Sequence, residues 1–159
     1  MMIKTLFREM LRAYLRNFPL RDGKKLIYEL VNESLAPPAG TVDVKVNQGF
    51  FLRLDLKEPS QPLIYFFGNY DERHEIAMLH RVLSPGDAFW DVGANIGFYA
   101  LTASRLVGAE GSVIAFEPGP VSWRALLANL ELNRAGNVRP FHLAVSESLG
   151  WVTLYSRPE

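Results

Sequence analysis

One stretch constrains this chain more than any other. The apolar run Phe89-Trp90-Asp91-Val92 passes directly into a turn bracketed by glycines, Gly93-Ala94-Asn95-Ile96-Gly97, and then into Phe98-Tyr99. Ile96, Tyr99, Ala100, Ala103 and Leu106 recur at roughly helical spacing, so the order is a strand over Ala88–Val92, a turn from Asp91 to Gly97, and a helix. A strand, a tight glycine turn and a helix N-terminus in succession make a place for a nucleotide-like ligand.

The flanks repeat the pattern. Ser84-Pro85-Gly86-Asp87 turns the chain into the strand, and Gly108-Ala109-Glu110-Gly111 ends the helix. Ser112–Phe116 reads as a second buried strand closed by Glu117-Pro118. A helix over 120–134 carries Trp123, Leu126, Leu127, Leu130 and Leu132, a strand is expected over 138–145, and 151–155 alternates again. Strands separated by helices of this length imply right-handed βαβ crossovers, hence an α/β fold with a mostly parallel sheet and flanking helices.

Upstream, an amphipathic helix is expected over 1–18: Ile3, Leu6, Phe7, Met10, Leu11, Tyr14, Leu15 and Phe18 are apolar, with Lys4, Arg8, Arg12 and Arg16 four apart. Residues 1–26 hold seven basic and two acidic residues. Two readings follow: an interfacial helix drawn to anionic lipid, or a helix that packs its apolar stripe on the domain or a partner and leaves its arginines in water, the commoner arrangement. Ala36-Pro37-Pro38-Ala39-Gly40 breaks the chain and ends a helical arm over 1–36. Val42, Val44 and Val46, then Leu52, Leu54 and Leu56, alternate with polar residues around Asn47-Gln48-Gly49, a β-hairpin with one wet face. A short strand is expected over 63–67 and a helix over 71–83.

Composition narrows the function. Lys plus Arg equals Asp plus Glu at 17 each, which gives no basic field for nucleic acid. There is no cysteine, so no disulfide, thiolate nucleophile or Cys-based metal site, and His74, His80 and His142 are too scattered for a metal cluster. The absence of cysteine, of a membrane-length apolar run and of a signal-peptide pattern leads to a cytoplasmic expectation.

The turn is G-x-N-x-G rather than the G-x-G-x-x-G of dinucleotide sites, which disfavours a nicotinamide cofactor. Glu117 ends the next strand 24 positions after Gly93, where a carboxylate can accept both ribose hydroxyls of an adenosine. Asp91 would face a cationic or amine-bearing group. A ligand with ribose, amine and a positive centre is wanted, and S-adenosylmethionine has all three. Singly, the glycines could serve packing and Glu117 could be a solvated loop residue; their joint occurrence at neighbouring strand ends favours an adenosyl site.

With these residues in view, the segments 84–97, Ala115-Phe116-Glu117-Pro118, Asn129-Leu130-Glu131-Leu132-Asn133 and Ala144-Val145-Ser146 resemble the FkbM-type family of S-adenosylmethionine-dependent methyltransferases, over about 41–155. The resemblance implies a Rossmann-like class I methyltransferase fold over 41–159, with a hairpin at 41–67 and a cofactor-binding half at 84–159. It implies methyl transfer to a hydroxyl of a sugar or secondary metabolite. By position, Asp91, Gly93, Asn95 and Gly97 would line the methionine part of the cofactor, Glu117 the ribose, and Ala144 and Val145 would lie near the adenine; Ala94 and Pro118 would also belong to the cofactor-binding set. Glu72, in Tyr70-Asp71-Glu72, would line the site. No metal is implied. The general base is not identified among Glu72, His74, Glu75 and His142; His74 and His80 read as surface or packing residues.

Members of that family continue through an acidic K-I-D-x-E-G strand and three more strands, and this chain reaches Glu159 only 62 residues after Gly97 without one. The expectation is a sheet incomplete at its C-terminal side, open to closure by a homo-oligomer. The alternative function is a non-catalytic adenosyl-binding or scaffold protein, or an inactive fragment of a methyltransferase.

Overall fold

The computed structural model describes residues 2–17, 23–31, 35, 37–38, 40–70 and 73–155. They fall into two compact units, Met1–Glu72 and Arg73–Glu159, so the helical arm and the hairpin share one unit. No described helix is long and apolar enough to cross a membrane.

In the first unit, β1 (Thr41–Lys45) pairs antiparallel with β2 (Phe51–Asp55). Val44, Leu52 and Leu54 turn to the core. On the wet face the directly opposed Arg53 and Asp43 form an ion pair at 2.8 Å. Exposed pairs of this kind stabilise little. The strand expected over 63–67 is instead a helix, α3 (Gln61–Phe67), which begins beside Pro62 and is stopped by Gly68 at φ 67°, whose N–H donates to the Ile64 carbonyl. Proline at a helix start and a left-handed glycine at its end are helix punctuation, and a short apolar run has no period to separate helix from strand. Ile64, Tyr65 and Phe66 are buried.

The arm helix, α1 (Met2–Asn17), forms where expected but docks the other way round. Arg12 Nε donates to the Tyr65 carbonyl at 3.1 Å and Arg16 Nη2 to the same oxygen at 2.7 Å, while Arg16 Nη1 reaches the Lys45 carbonyl at 2.8 Å. These arginines therefore satisfy carbonyls of the last turn of α3 that have no intrahelical donor. Glu9 accepts from the Tyr65 hydroxyl and from Arg12, each at 2.9 Å. Burial, with Arg12 beside it, holds the Arg16 guanidinium down at about 10. The expected packing of the whole apolar stripe with arginines in water does not occur: Leu15 is buried, but Ile3, Leu6, Phe7 and Met10 are exposed. A second helix, α2 (Lys24–Val31), donates Lys24 Nζ to the Leu15 carbonyl at 2.8 Å and sets Tyr28 against Phe66, ring centroids 5.2 Å apart.

The second unit runs α4 (Arg73–Val82), β3 (Ala88–Val92), α5 (Phe98–Val107), β4 (Ser112–Phe116), α6 (Pro120–Leu132) and β5 (Val138–Phe141). The three strands are parallel in the order β3-β4-β5. β4 is thus the middle strand, and β3 stands at an edge with Trp90 and Val92 exposed. Val113, Ala115, Phe98, Leu101, Ala103, Val107 and Leu126 form the core. Asn137 fastens the end of α5 to the start of β5: its Nδ2 donates to the Ser104 and Gly108 carbonyls at 3.0 and 2.8 Å, and its Oδ1 accepts from Ser104 Oγ at 2.6 Å. The strand expected to reach Val145 ends at Phe141, because Phe116 opposite it is the last rung β4 offers. Residues 142–155 join no strand despite the alternation over 151–155, and Leu149 and Trp151 lie fully in solvent. Alternation supplies a face, not a ladder partner.

Candidate functional site

The chain leaves β3 at Val92 and folds over the end of β4. The N–H groups of Gly93 and Ala94 both donate to the Phe116 carbonyl at 2.9 Å, and the Gly97 N–H closes the turn onto the Ala94 carbonyl at 2.8 Å. Gly93, Asn95 and Gly97 have φ of 83°, 49° and 90°. Three left-handed residues in five explain the G-x-N-x-G spelling, since glycine adopts that region freely and asparagine is the side chain that best tolerates it. Gly97 has a second constraint, because a Cβ there would sit 2.8 Å from Leu126 Cδ1 on α6.

Glu117 follows β4 and turns back to the loop. Its Oε2 accepts the Asn95 N–H at 2.8 Å, its Oε1 accepts the Gly119 N–H at 2.7 Å, and its own N–H donates to the Phe141 carbonyl at 3.0 Å. A Cβ at Gly119 would lie 2.9 Å from Oε1, so the smallest residue is needed there for space. An ionised carboxylate has about four acceptor positions, which leaves each oxygen of Glu117 able to take another donor.

Asp91, the fourth residue of β3, is 8% exposed, and its Oδ2 has no hydrogen-bond partner among the described residues. Burial pushes its carboxyl up to about 6; the Ala100 backbone N–H opposes that rise, and the nearby charge of Glu117 adds to it. A buried carboxylate oxygen without a donor costs free energy that a cationic donor would recover.

A polar brace behind the turn was not picked out as functional from the sequence. Asn129, fully buried on α6, donates Nδ2 to the Ile96 carbonyl at 2.8 Å, and Asn133 Nδ2 donates to the Asn129 carbonyl at 2.7 Å. Its signal was available: Asn129 lies three residues after Leu126 and one before Leu130, on the buried face of an otherwise apolar helix.

The structure thus gathers Asp91, Gly93, Ala94, Asn95, Gly97 and Glu117 at the ends of β3 and β4. Pro118 is adjacent; its carbonyl lies 3.1 Å from His142 Nε2, and the His142 ring stacks on Trp123 with centroids 5.0 Å apart and planes 8° from parallel. Ala144 and Val145 are exposed beyond the end of β5. His74 and Glu75 are exposed on the first turn of α4, and His80 is exposed near its end. Glu72 lies outside the described residues.

An acidic pair beside a left-handed glycine turn suits a ligand that carries both hydroxyls and a cation. TYW2 of P. horikoshii, solved in complex with MeSAdo, superposes with a TM-score of 0.52 and 19% identity over 79% of this chain and 51% of its own. At that identity the likeness speaks for the fold: the class I S-adenosylmethionine-dependent methyltransferase fold, represented here by part of its parallel sheet. No family model matches the chain. Among curated proteins, the chain is similar to 31-O-demethyl-FK506 methyltransferase FkbM of Streptomyces tacrolimicus, 46% identical over 68 residues, which is 43% of this chain and 25% of that protein. It is also similar to hexuronic acid methyltransferase AglP of Haloferax volcanii, 32% identical over 87 residues, 55% of this chain and 34% of that one. The chain therefore resembles FkbM-type methyltransferases, and it spans a quarter to a third of the length of these relatives.

Proposed function

We propose that this chain carries the cofactor-binding part of an S-adenosylmethionine-dependent O-methyltransferase that acts on a hydroxyl of a sugar or secondary metabolite. The observation that carries the reading is the pairing of two buried carboxylates across one turn: Asp91, one oxygen of which has no donor among the described residues, and Glu117 held against the Asn95 N–H. The residues fit the cofactor. Glu117 would accept the two ribose hydroxyls on its remaining lone pairs, Asp91 would accept the ammonium of the methionine part, and the open space at Gly93, where a Cβ would meet nothing within 4 Å, would leave room for the chain of the ligand. Pro118 stands next to Glu117, and Ala144 and Val145 would border the adenine side.

Bound S-adenosylmethionine supplies a methyl group on a positively charged sulfur. The protein's contribution is to hold that group and an acceptor oxygen in line, which converts a bimolecular encounter into a positioned one. The acceptor class rests on the names of the two relatives, one a 31-O-demethyl substrate and one a hexuronic acid. The test is transfer of labelled methyl from S-adenosylmethionine to a hexuronic acid or to 31-O-demethyl-FK506 by the whole protein. Label recovered as an O-methyl ether is expected; transfer to nitrogen or carbon, or none to either acceptor, would overturn the reading.

A further inference from the structure

The N–H and C=O of one planar peptide unit point in opposite directions, so a unit bonded at both ends cannot turn without breaking a hydrogen bond. Two such units lie in succession in the glycine turn. In the Ile96–Gly97 unit the carbonyl accepts from Asn129 Nδ2 at 2.8 Å, and the N–H donates to the Ala94 carbonyl at 2.8 Å. In the Ala94–Asn95 unit that carbonyl is the acceptor, and the N–H donates to Glu117 Oε2 at 2.8 Å. A single run of hydrogen bonds, each donating in the same sense, therefore leads from the Asn129 amide on α6 through two peptide units to the carboxylate. The other carboxylate oxygen, Oε1, accepts at 2.7 Å from the N–H of Gly119, the residue that caps the start of α6. The same helix thus begins the run and bonds its end.

Hydrogen bonds joined in this way polarise one another, most strongly away from water, and Asn129 is fully buried. Its own backbone is held, because the Asn129 carbonyl accepts from both the N–H and the Nδ2 of Asn133, at 3.2 and 2.7 Å. The turn it bonds needs holding: Asn95 at φ 49° and Gly97 at φ 90° flank the Ile96 carbonyl, and a non-glycine residue keeps a left-handed conformation only where its surroundings impose it. A second asparagine brace supplies the contrast. Asn137 makes three side-chain hydrogen bonds to Ser104 and Gly108, but it precedes β5 and follows the end of α5, at the opposite end of the parallel strands from Glu117. Asn137 supports the fold, whereas the run from Asn129 ends on a residue of the site.

We propose that Asn129 is a positioning residue for the cofactor: through the Ile96–Gly97 and Ala94–Asn95 peptide units it keeps the Asn95 N–H on Glu117, and so fixes the carboxylate in the orientation that takes the ribose hydroxyls. The cofactor part of this statement rests on the adenosyl reading of the site. The hold of Asn129 on the Asn95 N–H does not.

The test measures affinity for S-adenosylhomocysteine by calorimetry, and exchange of the Asn95 amide proton by NMR in the ligand-free protein, for the native chain, Asn129→Leu, Asn129→Ala and Asn137→Ala. Alanine at 129 adds no atoms to a fully buried position, so its outcome stands where leucine is not accommodated. All four are compared at a temperature below the melting of the least stable. Expected are a loss of affinity of at least about tenfold in both Asn129 variants and Asn95 exchange faster by about the same factor, while Asn137→Ala melts lower than the native protein yet binds and exchanges as it does. Native affinity in the Asn129 variants overturns the proposal. So does an equal loss in Asn137→Ala, because affinity would then follow stability and not the hydrogen bond to Ile96. A native protein that binds no S-adenosylhomocysteine refutes the adenosyl site instead; the Asn95 amide then decides the brace alone, upheld by faster exchange confined to the Asn129 variants and overturned by unchanged exchange.

Discussion

The Asn95 backbone N–H points at Glu117 Oε2 across 2.8 Å, joining the left-handed centre of the glycine turn to the residue that follows the next strand. One contact therefore sets both the loop that would surround a methionine chain and the carboxylate that would take a ribose. The two halves of the site are built as one piece.

Glu117→Gln tests that coupling. The amide keeps the size but places an NH2 against either the Asn95 or the Gly119 N–H and removes the charge. Hydrogen bonds to a charged acceptor contribute about 1.5–3 kcal/mol. Affinity for S-adenosylhomocysteine, read by calorimetry, should fall by roughly 10- to 100-fold, with a melting temperature lowered as well, since one of the two loop amides loses its acceptor.

Asp91→Asn should separate stability from binding. The carboxyl is raised to about 6 in the fold, mainly by burial, so its contribution to stability is fully present below the ordinary carboxylate value and is lost as pH rises through about 6. At pH 7 the native protein bears the cost of a buried charge, on the order of a few kcal/mol. The Asn variant should melt higher than the native protein at pH 7, with the gap closing toward pH 4. Its cofactor binding should be weaker at pH 7. In the native protein, affinity should drop as pH falls below about 6, because an ammonium ligand selects the ionised form.

Gly97→Ala should destabilise more than Gly93→Ala. Both have φ near 90°, which costs a non-glycine residue about 1–2 kcal/mol, but only Gly97 meets a side chain, Leu126 Cδ1 at 2.8 Å. Denaturant melts of Gly97→Ala alone and combined with Leu126→Ala should show a double variant less unstable than the two losses added.

Asn129→Leu preserves volume but leaves the Ile96 carbonyl without its side-chain donor in a fully buried position. A loss of about 1–3 kcal/mol is expected, measurable by urea unfolding.

Much of the site was legible because its signals are local. The bounds of β3 and β4 coincide with the runs Ala88–Val92 and Ser112–Phe116, and the left-handed turn is spelled by Gly93, Asn95 and Gly97. What was not legible depends on partners distant in sequence. The α1 pattern defined an apolar arc and an arginine row, but which side docks was decided by the carbonyls of Tyr65 and Lys45, some thirty to fifty residues away. Residues 63–67 lacked a period, so the helix was visible only in Pro62 and Gly68. Residues 151–155 alternate like a strand, yet no strand lies beside them among the described residues. The place of Asn129 on the buried face of α6 follows from Leu126 and Leu130, but its role depends on the Ile96 carbonyl, 33 residues away.

The adenosyl site itself is tested most directly by titrating the chain with S-adenosylhomocysteine in a calorimeter, native and Gly93→Arg, at pH 7. The native protein should bind at one site. The arginine, at a left-handed position where a Cβ meets nothing within 4 Å, should abolish binding. Unchanged affinity in the variant, or no binding by the native protein, would contradict the assignment of the Asp91 to Gly97 turn as the cofactor site.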